Sequence, residues 1–339
     1  MKTVRILTFV VLAALLMLNV SAQDAPKLKV AASFSVLADV VQQVGGDAVE
    51  VISIVPNGQD PHDYEPSASE VAAFSDARVV FVNGGGFEGG VLNIITNAAP
   101  DMDVRVASSC VPILPFVMGE HDHEEGEEHA HEDAAAAPAV DDAAMAALCE
   151  KHLGEMEALH AESHQDGEAH DHADGEAHSH VEPLGSLYAI QCTDSHEEGA
   201  CDMHVWAEPH SVMYWAMYIR DVLSALDPAN AETYAANAAA YIEELDHLSH
   251  HFVMESVASV PEDARVLVTN HATLGYFAAK YDFEVVGTVI PSASTAAEPS
   301  AGEVAALVDL IRAEGAKAVF ADSTVNTRLA EQVAAEAGV

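Results

Sequence analysis

The sequence predicts an α/β protein with two lobes of parallel sheet, each flanked by helices, joined by one long helix. Three observations carry this. Short apolar runs alternate with segments apolar at helical spacing, the pattern of a parallel sheet covered on both faces. The alternation stops in the middle of the chain and then resumes. Between the two halves, an alanine-rich stretch from Ala229 to about Val257 keeps helical periodicity throughout, with Tyr234, Ala238, Tyr241, Leu245 and Leu248 on one side.

In the first half, residues 28–34 form an apolar run and 36–44 are apolar at helical spacing before Gly45-Gly46. Residues 49–55 predict a second strand, ended by Pro56-Asn57-Gly58. A helix begins near Ser67, whose side chain can cap it, and runs to Phe74. Residues 78–82 and 103–107 predict the third and fourth strands. Asn83-Gly84-Gly85-Gly86 lacks both the G-x-G-x-x-G spacing and the Walker lysine, so it predicts a tight turn. Apolar character resumes at 185–190, and a helix spans about 211–226 until Asp227-Pro228 breaks it. The long helix that follows covers on the order of 40 Å by its rise per residue, enough to leave one lobe and enter another. In the second half, strands are expected at 265–269, 284–290 and 318–320, and helices at 273–281, 303–314 and 327–337. The chain stops at Gly338-Val339, where another strand and helix are expected, so the C-terminal lobe reads as incomplete. The expected organisation is a leader at 1–22, an N-terminal lobe at 23–227, the linking helix at 228–258 and a C-terminal lobe at 259–339.

An insert at about 119–182 interrupts the first lobe and reads as a tract without a fold. It is dominated by His, Asp, Glu, Gly and Ala. His121, His123, His129, His131, His170, His172, His178 and His180 recur there at short spacings, and histidine-rich tracts of this kind bind metal on composition alone. Imidazole suits first-row divalent ions, and the surrounding carboxylates add a negative field. A formal charge of -42 argues against nucleic acid and for cations. These tract histidines are expected to collect ions weakly; a selective site requires ordered sequence.

Lys2, Arg5, the apolar run 6–18 and Val20-Ser21-Ala22 make a secretory signal peptide. The run is short for a membrane span. No cysteine lies near the cleavage point, so a periplasmic or otherwise extracytoplasmic protein without a lipid anchor is expected. Four cysteines in an exported chain are compatible with disulfides. Cys192 and Cys201 could close a small loop; the pairing of Cys110 and Cys149 stays open.

Four residues are candidates for a fixed site: His62 after the second strand, His204 before the helix at 211, His271 directly after the strand at 265–269, and Asp322 after Phe320. Loops at the carboxyl ends of strands line the ligand crevice of open α/β sheets. Three imidazoles and a carboxylate suit a first-row divalent ion, and tetrahedral zinc fits them. Asp60, Asp63 and Glu65 read as partners that orient His62. His210, His247, His250 and His251 read as helix-surface residues, and Trp206 and Tyr214 as packing.

Gly58-Gln59-Asp60-Pro61-His62-Asp63-Tyr64-Glu65-Pro66, His204-Val205-Trp206, Thr269-Asn270-His271 running to Tyr276-Phe277, and Val319-Phe320-Ala321-Asp322-Ser323 together resemble the metal-specific substrate-binding proteins of ABC importers. The resemblance covers residues 27–339 apart from the insert, and the histidine-rich loop looks like the zinc-uptake, ZnuA-like branch. It implies two α/β lobes with the metal in the cleft between them, and ligands at His62, His204 and His271 with Asp322 in the variable fourth place. It also implies a monomer that carries Zn2+, with Mn2+ as an alternative cargo, to an ABC permease and its cytoplasmic ATPase. Met203 departs from the family, which commonly has proline there. No catalysis is expected. The rival readings are a manganese or iron receptor, a metal-buffering or adhesin protein, and a zinc hydrolase; H-E-x-x-H is absent, which weighs against the last.

Overall fold

The computed structural model describes residues 26–116, 141–163, 183–189, 192, 201–291, 295 and 297–339. The leader and the eight tract histidines named above lie outside the described residues.

Strand β1 (Leu28–Phe34), helix α1 (Ser35–Gly45) and strand β2 (Val49–Val55) open the chain. The last five residues of β1 are all buried, as in a strand covered on both faces. Helix α1 lays Leu37, Val40, Val41 and Val44 on the sheet, one apolar stripe at helical spacing. Helix α2 (Ala68–Phe74) is started by a capping box, in which the Ser67 side chain accepts from Glu70 N and the Glu70 side chain accepts from Ser67 N. Strand β3 (Val79–Val82), helix α3 (Gly89–Ala98) and strand β4 (Val104–Val106) complete the first sheet. All its pairings are parallel and its order is β2-β1-β3-β4. The order reverses between β1 and β3, so the crevice opens at their carboxyl ends, next to Phe34 and Asn83.

Helix α3 goes beyond the sequence expectations. Its buried residues Val91 and Ile95 stand one turn apart, but the glycine pairs before and at its start disguise it as turn. Three consecutive glycines, Gly84, Gly85 and Gly86, take φ of 91°, 68° and 83°, which only glycine adopts readily. That turn wraps the buried Glu88 carboxylate, which accepts from Asn83 N, Gly84 N and Ser33 Oγ.

The expectation of an unfolded insert is corrected in its middle. Helix α4 (Asp142–Ser163) packs on the first lobe. Met145, Cys149, His152 and Met156 recur every three or four residues, and Met145, His152 and Met156 are buried. Cys149 is bonded to Cys110, and His152 Nε2 lies 3.0 Å from Asp221 Oδ2. Arg220 donates to both oxygens of Glu155 at 2.8 and 3.2 Å. The composition of the tract conceals this stripe. Short strands β5 (Pro112–Ile113) and β6 (Gly185–Ser186) pair antiparallel on either side of the insert, and Cys192 and Cys201 close the small loop.

Helix α5 (Pro209–Leu226) buries Met213, Trp215 and Ile219 in the first core. Helix α6 (Ala231–His247) continues through a π-helical turn (Leu248–Val253) into α7 (Met254–Ala258), one helical course in the place expected of the linking helix. It buries Tyr234, Ala238, Ile242 and Leu245 against the first lobe before the chain enters the second. There β7 (Val266–Thr269) and β8 (Glu284–Thr288) pair parallel, with helices α8 (Gly275–Tyr281), α9 (Ala301–Glu314) and α10 (Arg328–Ala337). A second core gathers Val268, Val286, Leu307, Val308, Ile311 and Val333. The strand expected at 318–320 is reduced to one parallel bridge between Thr269 and Phe320. Phe320 N donates to Val268 O, and Asn270 N donates to Phe320 O, so this bridge still delivers Asp322 to the carboxyl end of β7. Among the described residues no helix is long and apolar enough to cross a membrane.

Candidate metal centre

His62 belongs to the loop after β2, and its backbone N–H donates to Asp60 Oδ1 at 3.0 Å. The other oxygen of Asp60 accepts from Thr295 Oγ1 of the second half at 2.6 Å. His204 begins the turn that leads into α5, and His271 directly follows β7. His204 and His271 are buried and His62 is half-buried. The three imidazoles, drawn from both lobes, bring one nitrogen each within 4.8 Å of the other two.

His204 Nε2 and His62 Nε2 are 3.4 Å apart. Two nitrogens about 2.0–2.1 Å from a tetrahedral zinc stand about 3.3–3.4 Å apart, so this pair has the edge length of such a site. Ring centroids are 5.5 Å (His62–His204), 5.7 Å (His62–His271) and 5.4 Å (His204–His271) apart. Phe87 and Trp206 wall the cluster, Phe87 5.0 Å from His62 and Trp206 5.4 Å from His204, both measured between ring centroids. Trp206 also packs on Phe34 at the end of β1, the packing role expected of it.

The buried Asp202 orients His204. Its Oδ1 accepts from His204 N at 2.9 Å and from Nδ1 at 3.0 Å, which puts the ring proton on Nδ1 and a lone pair on Nε2. Tyr276 of α8 donates its hydroxyl hydrogen to Asp202 O and accepts from Leu114 N, so one side chain stitches the two lobes beneath the site. Gly275 makes this approach possible: a Cβ there would lie 2.3 Å from Asp202 Oδ2. Met203, where the family commonly has proline, is buried, and its carbonyl accepts from Asn83 Nδ2 at 3.0 Å.

Asn270 performs the matching task for His271. Its Oδ1 accepts from His271 N at 3.0 Å and from Asp322 N at 3.1 Å, and lies 3.4 Å from His271 Nδ1. Burial, reinforced by the charge of His204 and opposed by Asp322, pushes the His271 pKa down to about 4. A neutral imidazole with an available lone pair results over most of the pH range.

Asp322 lies outside the converging set. Its Oδ1 accepts from Thr324 N and from Thr324 Oγ1, both at 2.8 Å, although its charge still reaches His271. The orienting role of Asp202 goes beyond the sequence expectations. Its signal is the spacing carboxylate-x-histidine, present in both Asp60-Pro61-His62 and Asp202-Met203-His204. The surface reading of His210 and His250 is corrected: His210 is buried and His250 half-buried, and both gather with His160 and Asp246. They project from helix ends that pack together, which helical spacing in any one helix cannot reveal. His247 and His251 are exposed, as expected.

Among known proteins, the chain is similar to "Manganese-binding lipoprotein MntA" of Halalkalibacterium halodurans, 27% identical over 94% of this chain and 79% of the relative. It is also similar to "Iron ABC transporter substrate-binding lipoprotein MtsA" of Streptococcus pyogenes, 24% identical over 92% of this chain and 77% of the relative. A solved structure described as "Crystal structure of ZnuA" superposes with a TM-score of 0.60 at 23% identity, covering 93% of this chain and 89% of the other. A structure of a mutant, manganese-bound periplasmic metal binding protein from candidatus liberibacter asiaticus superposes with a TM-score of 0.59 at 19% identity, over 92% and 86% of the two chains. These superpositions bear out the expected α/β fold.

The relatives also correct one expectation. The absence of a cysteine near the cleavage point predicts an exported protein without a lipid anchor, yet both of these curated relatives are lipoproteins by name, and the unanchored placement does not stand. Substrate-binding components of this kind work with a membrane permease and an ATPase, and they are not enzymes. Residues 30–339 match the family described as "Zinc-uptake complex component A periplasmic", and the chain therefore belongs to this family of metal-binding substrate-binding proteins of ABC transporters.

Proposed function

We propose that this chain is an extracytoplasmic receptor that captures Zn2+ between its lobes and hands it to the permease of an ABC importer. The observation that carries this reading is the convergence of His62, His204 and His271, a group that among the described residues brings three imidazole nitrogens within 4.8 Å of one another. A nitrogen-rich set suits zinc, whereas manganese favours oxygen ligands. In this reading Asp202 and Asn270 hold two of the imidazoles ready before the ion arrives, and Asp322 turns its second oxygen to the ion as a fourth ligand. The helical course from Ala231 to Ala258 keeps the lobes at nearly fixed separation, so closure on binding is small. Neutral imidazoles are needed for capture, and the depressed pKa of His271 maintains one of them in mildly acidic surroundings.

Manganese or iron is the second reading, favoured by the names of the relatives above. The two separate in one experiment. The chain is recovered from the extracytoplasmic fraction of its host without added metal and its bound metals are counted. Bound zinc that resists excess Mn2+ and falls by one ion per chain in His271→Ala supports the proposal. Manganese or iron recovered in place of that ion, and lost in His271→Ala, overturns it.

A further inference from the structure

A second cluster of imidazoles sits apart from the cleft ligands and uses none of them. His160 lies in the last turn of α4, His210 in the first turn of α5, Asp246 in the last turn of α6 and His250 in the π-helical turn. One ligand-capable atom from each lies within 4.8 Å of the other three. We propose that His160, His210, Asp246 and His250 form a second metal site, which takes a first-row divalent cation such as zinc through three imidazole nitrogens and one carboxylate oxygen.

The detailed geometry supports this more than proximity alone. His210 is only 7% exposed. Its Nδ1 lies 2.6 Å from Glu208 Oε1, which fixes the ring proton there, while its Nε2 is buried with no hydrogen-bond partner. A buried nitrogen left unpartnered is unfavourable, and a bound ion removes that penalty. The arrangement repeats the cleft: Glu208-Pro209-His210 stands to this cluster as Asp202-Met203-His204 stands to the other, with a carboxylate two residues before the histidine holding Nδ1.

Asp246 contributes the oxygen. Its Oδ1 is buried without a hydrogen-bond partner and lies 3.0 Å from His250 Nδ1, a pair that bonds only when the ring is protonated. Asp246 and His250 are four residues apart, on one face of the helical course. Ring centroids are 5.2 Å (His160–His210), 5.7 Å (His160–His250) and 5.2 Å (His210–His250) apart, the packing also found among the cleft histidines. Three imidazoles and one carboxylate match the donor preferences of zinc and its first-row neighbours.

The position gives the site a consequence. A π-helical turn inside an α-helix commonly marks a functional position. Here it buries Ser249, whose Oγ lies 3.3 Å from His210 Nδ1 and 2.8 Å from the Tyr281 hydroxyl of α8. An ion at this cluster ties the insert helix α4 to the linking helix where that helix meets the second lobe. The site is therefore structural or regulatory, and it is distinct from the cargo site proposed above.

The test uses the full chain stripped of metal, equilibrated with Zn2+ in the presence of a weak competing chelator, and analysed for bound zinc. Wild type is expected to hold two tightly bound ions. His160→Gln combined with His250→Gln is expected to leave one, His62→Ala combined with His271→Ala also one, and all four substitutions none. In the His62→Ala, His271→Ala protein the remaining zinc-dependent rise in melting temperature is expected to vanish when His160→Gln and His250→Gln are added. An unchanged melting temperature without metal shows that the fold survives. Glu208→Gln, which keeps an oxygen for the helix cap, is expected to weaken the second ion about tenfold to a hundredfold and leave the cleft ion unmoved. A wild-type stoichiometry of one, lost in His62→Ala, His271→Ala, overturns the proposal. So does a second ion that survives His160→Gln, His250→Gln and disappears only when the tract histidines are replaced. If the cleft assignment alone is wrong, the His160→Gln, His250→Gln pair still removes an ion, so the two readings fail separately.

Discussion

Asp202→Asn isolates the work of one buried carboxylate. The substitution keeps size, shape and an acceptor oxygen for His204 N, but it removes the charge that assists the hydrogen bond from His204 Nδ1. His204 then loses both basicity at Nε2 and the bias toward the tautomer whose lone pair faces His62, 3.4 Å away. Removing a partner of this kind costs about tenfold to a hundredfold in metal affinity. At 1.4 kcal/mol per factor of ten, that is about 1.4–2.8 kcal/mol. Zinc affinity measured by competition with a chelating dye should fall by that factor, in a background lacking His160 and His250 so that one site is read. The melting temperature without metal should fall far less than the zinc-bound one. An affinity within twofold of wild type would refute the reasoning, because the carboxylate would then be positioning nothing.

Three further outcomes follow from the same geometry. In a background lacking His160 and His250, His271→Ala should abolish most of the zinc-dependent stabilisation, which for a ligand at a thousandfold excess over its dissociation constant is about 4 kcal/mol; an unchanged thermal shift would remove His271 from the site. Gly275→Ala should act on metal binding through Asp202, since the new Cβ meets Oδ2 at 2.3 Å, and unaltered affinity would mean that Asp202 moves without consequence. The His271 pKa, about 4 in the fold against an ordinary 6.5, is lowered, so its contribution to metal-free stability is present above pH 6.5 and lost as pH falls through 6.5 to 4. Wild type should therefore lose about 3 kcal/mol more than His271→Ala between pH 7 and pH 4 in urea unfolding, and parallel losses in the two proteins would contradict the assignment.

Much of this architecture is readable from residues alone. The strands at 28–34 and 49–55 are apolar runs bounded by turn residues, and the structure reproduces both ranges. His62, His204 and His271 stand out because each sits in a loop beside a predicted strand end or helix start. The rest depends on juxtaposition. Helix α3 hides behind glycines, and α4 behind the composition of the tract around it. The cluster of His160, His210, Asp246 and His250 assembles from separate helix ends far apart in sequence, where periodicity in any one segment carries no signal. Asp322 reads as a ligand by its place after Phe320, yet its Oδ1 is occupied by Thr324, a local competition that only coordinates reveal.

The central claim is that one cation is shared by histidines of both lobes. The most direct test is a crystal structure of the full chain grown with zinc, with anomalous differences recorded on either side of the zinc edge. A peak is expected about 2.0–2.1 Å from a ring nitrogen of each of His62, His204 and His271. A crystal with zinc on tract histidines alone, and none between these three, would contradict it.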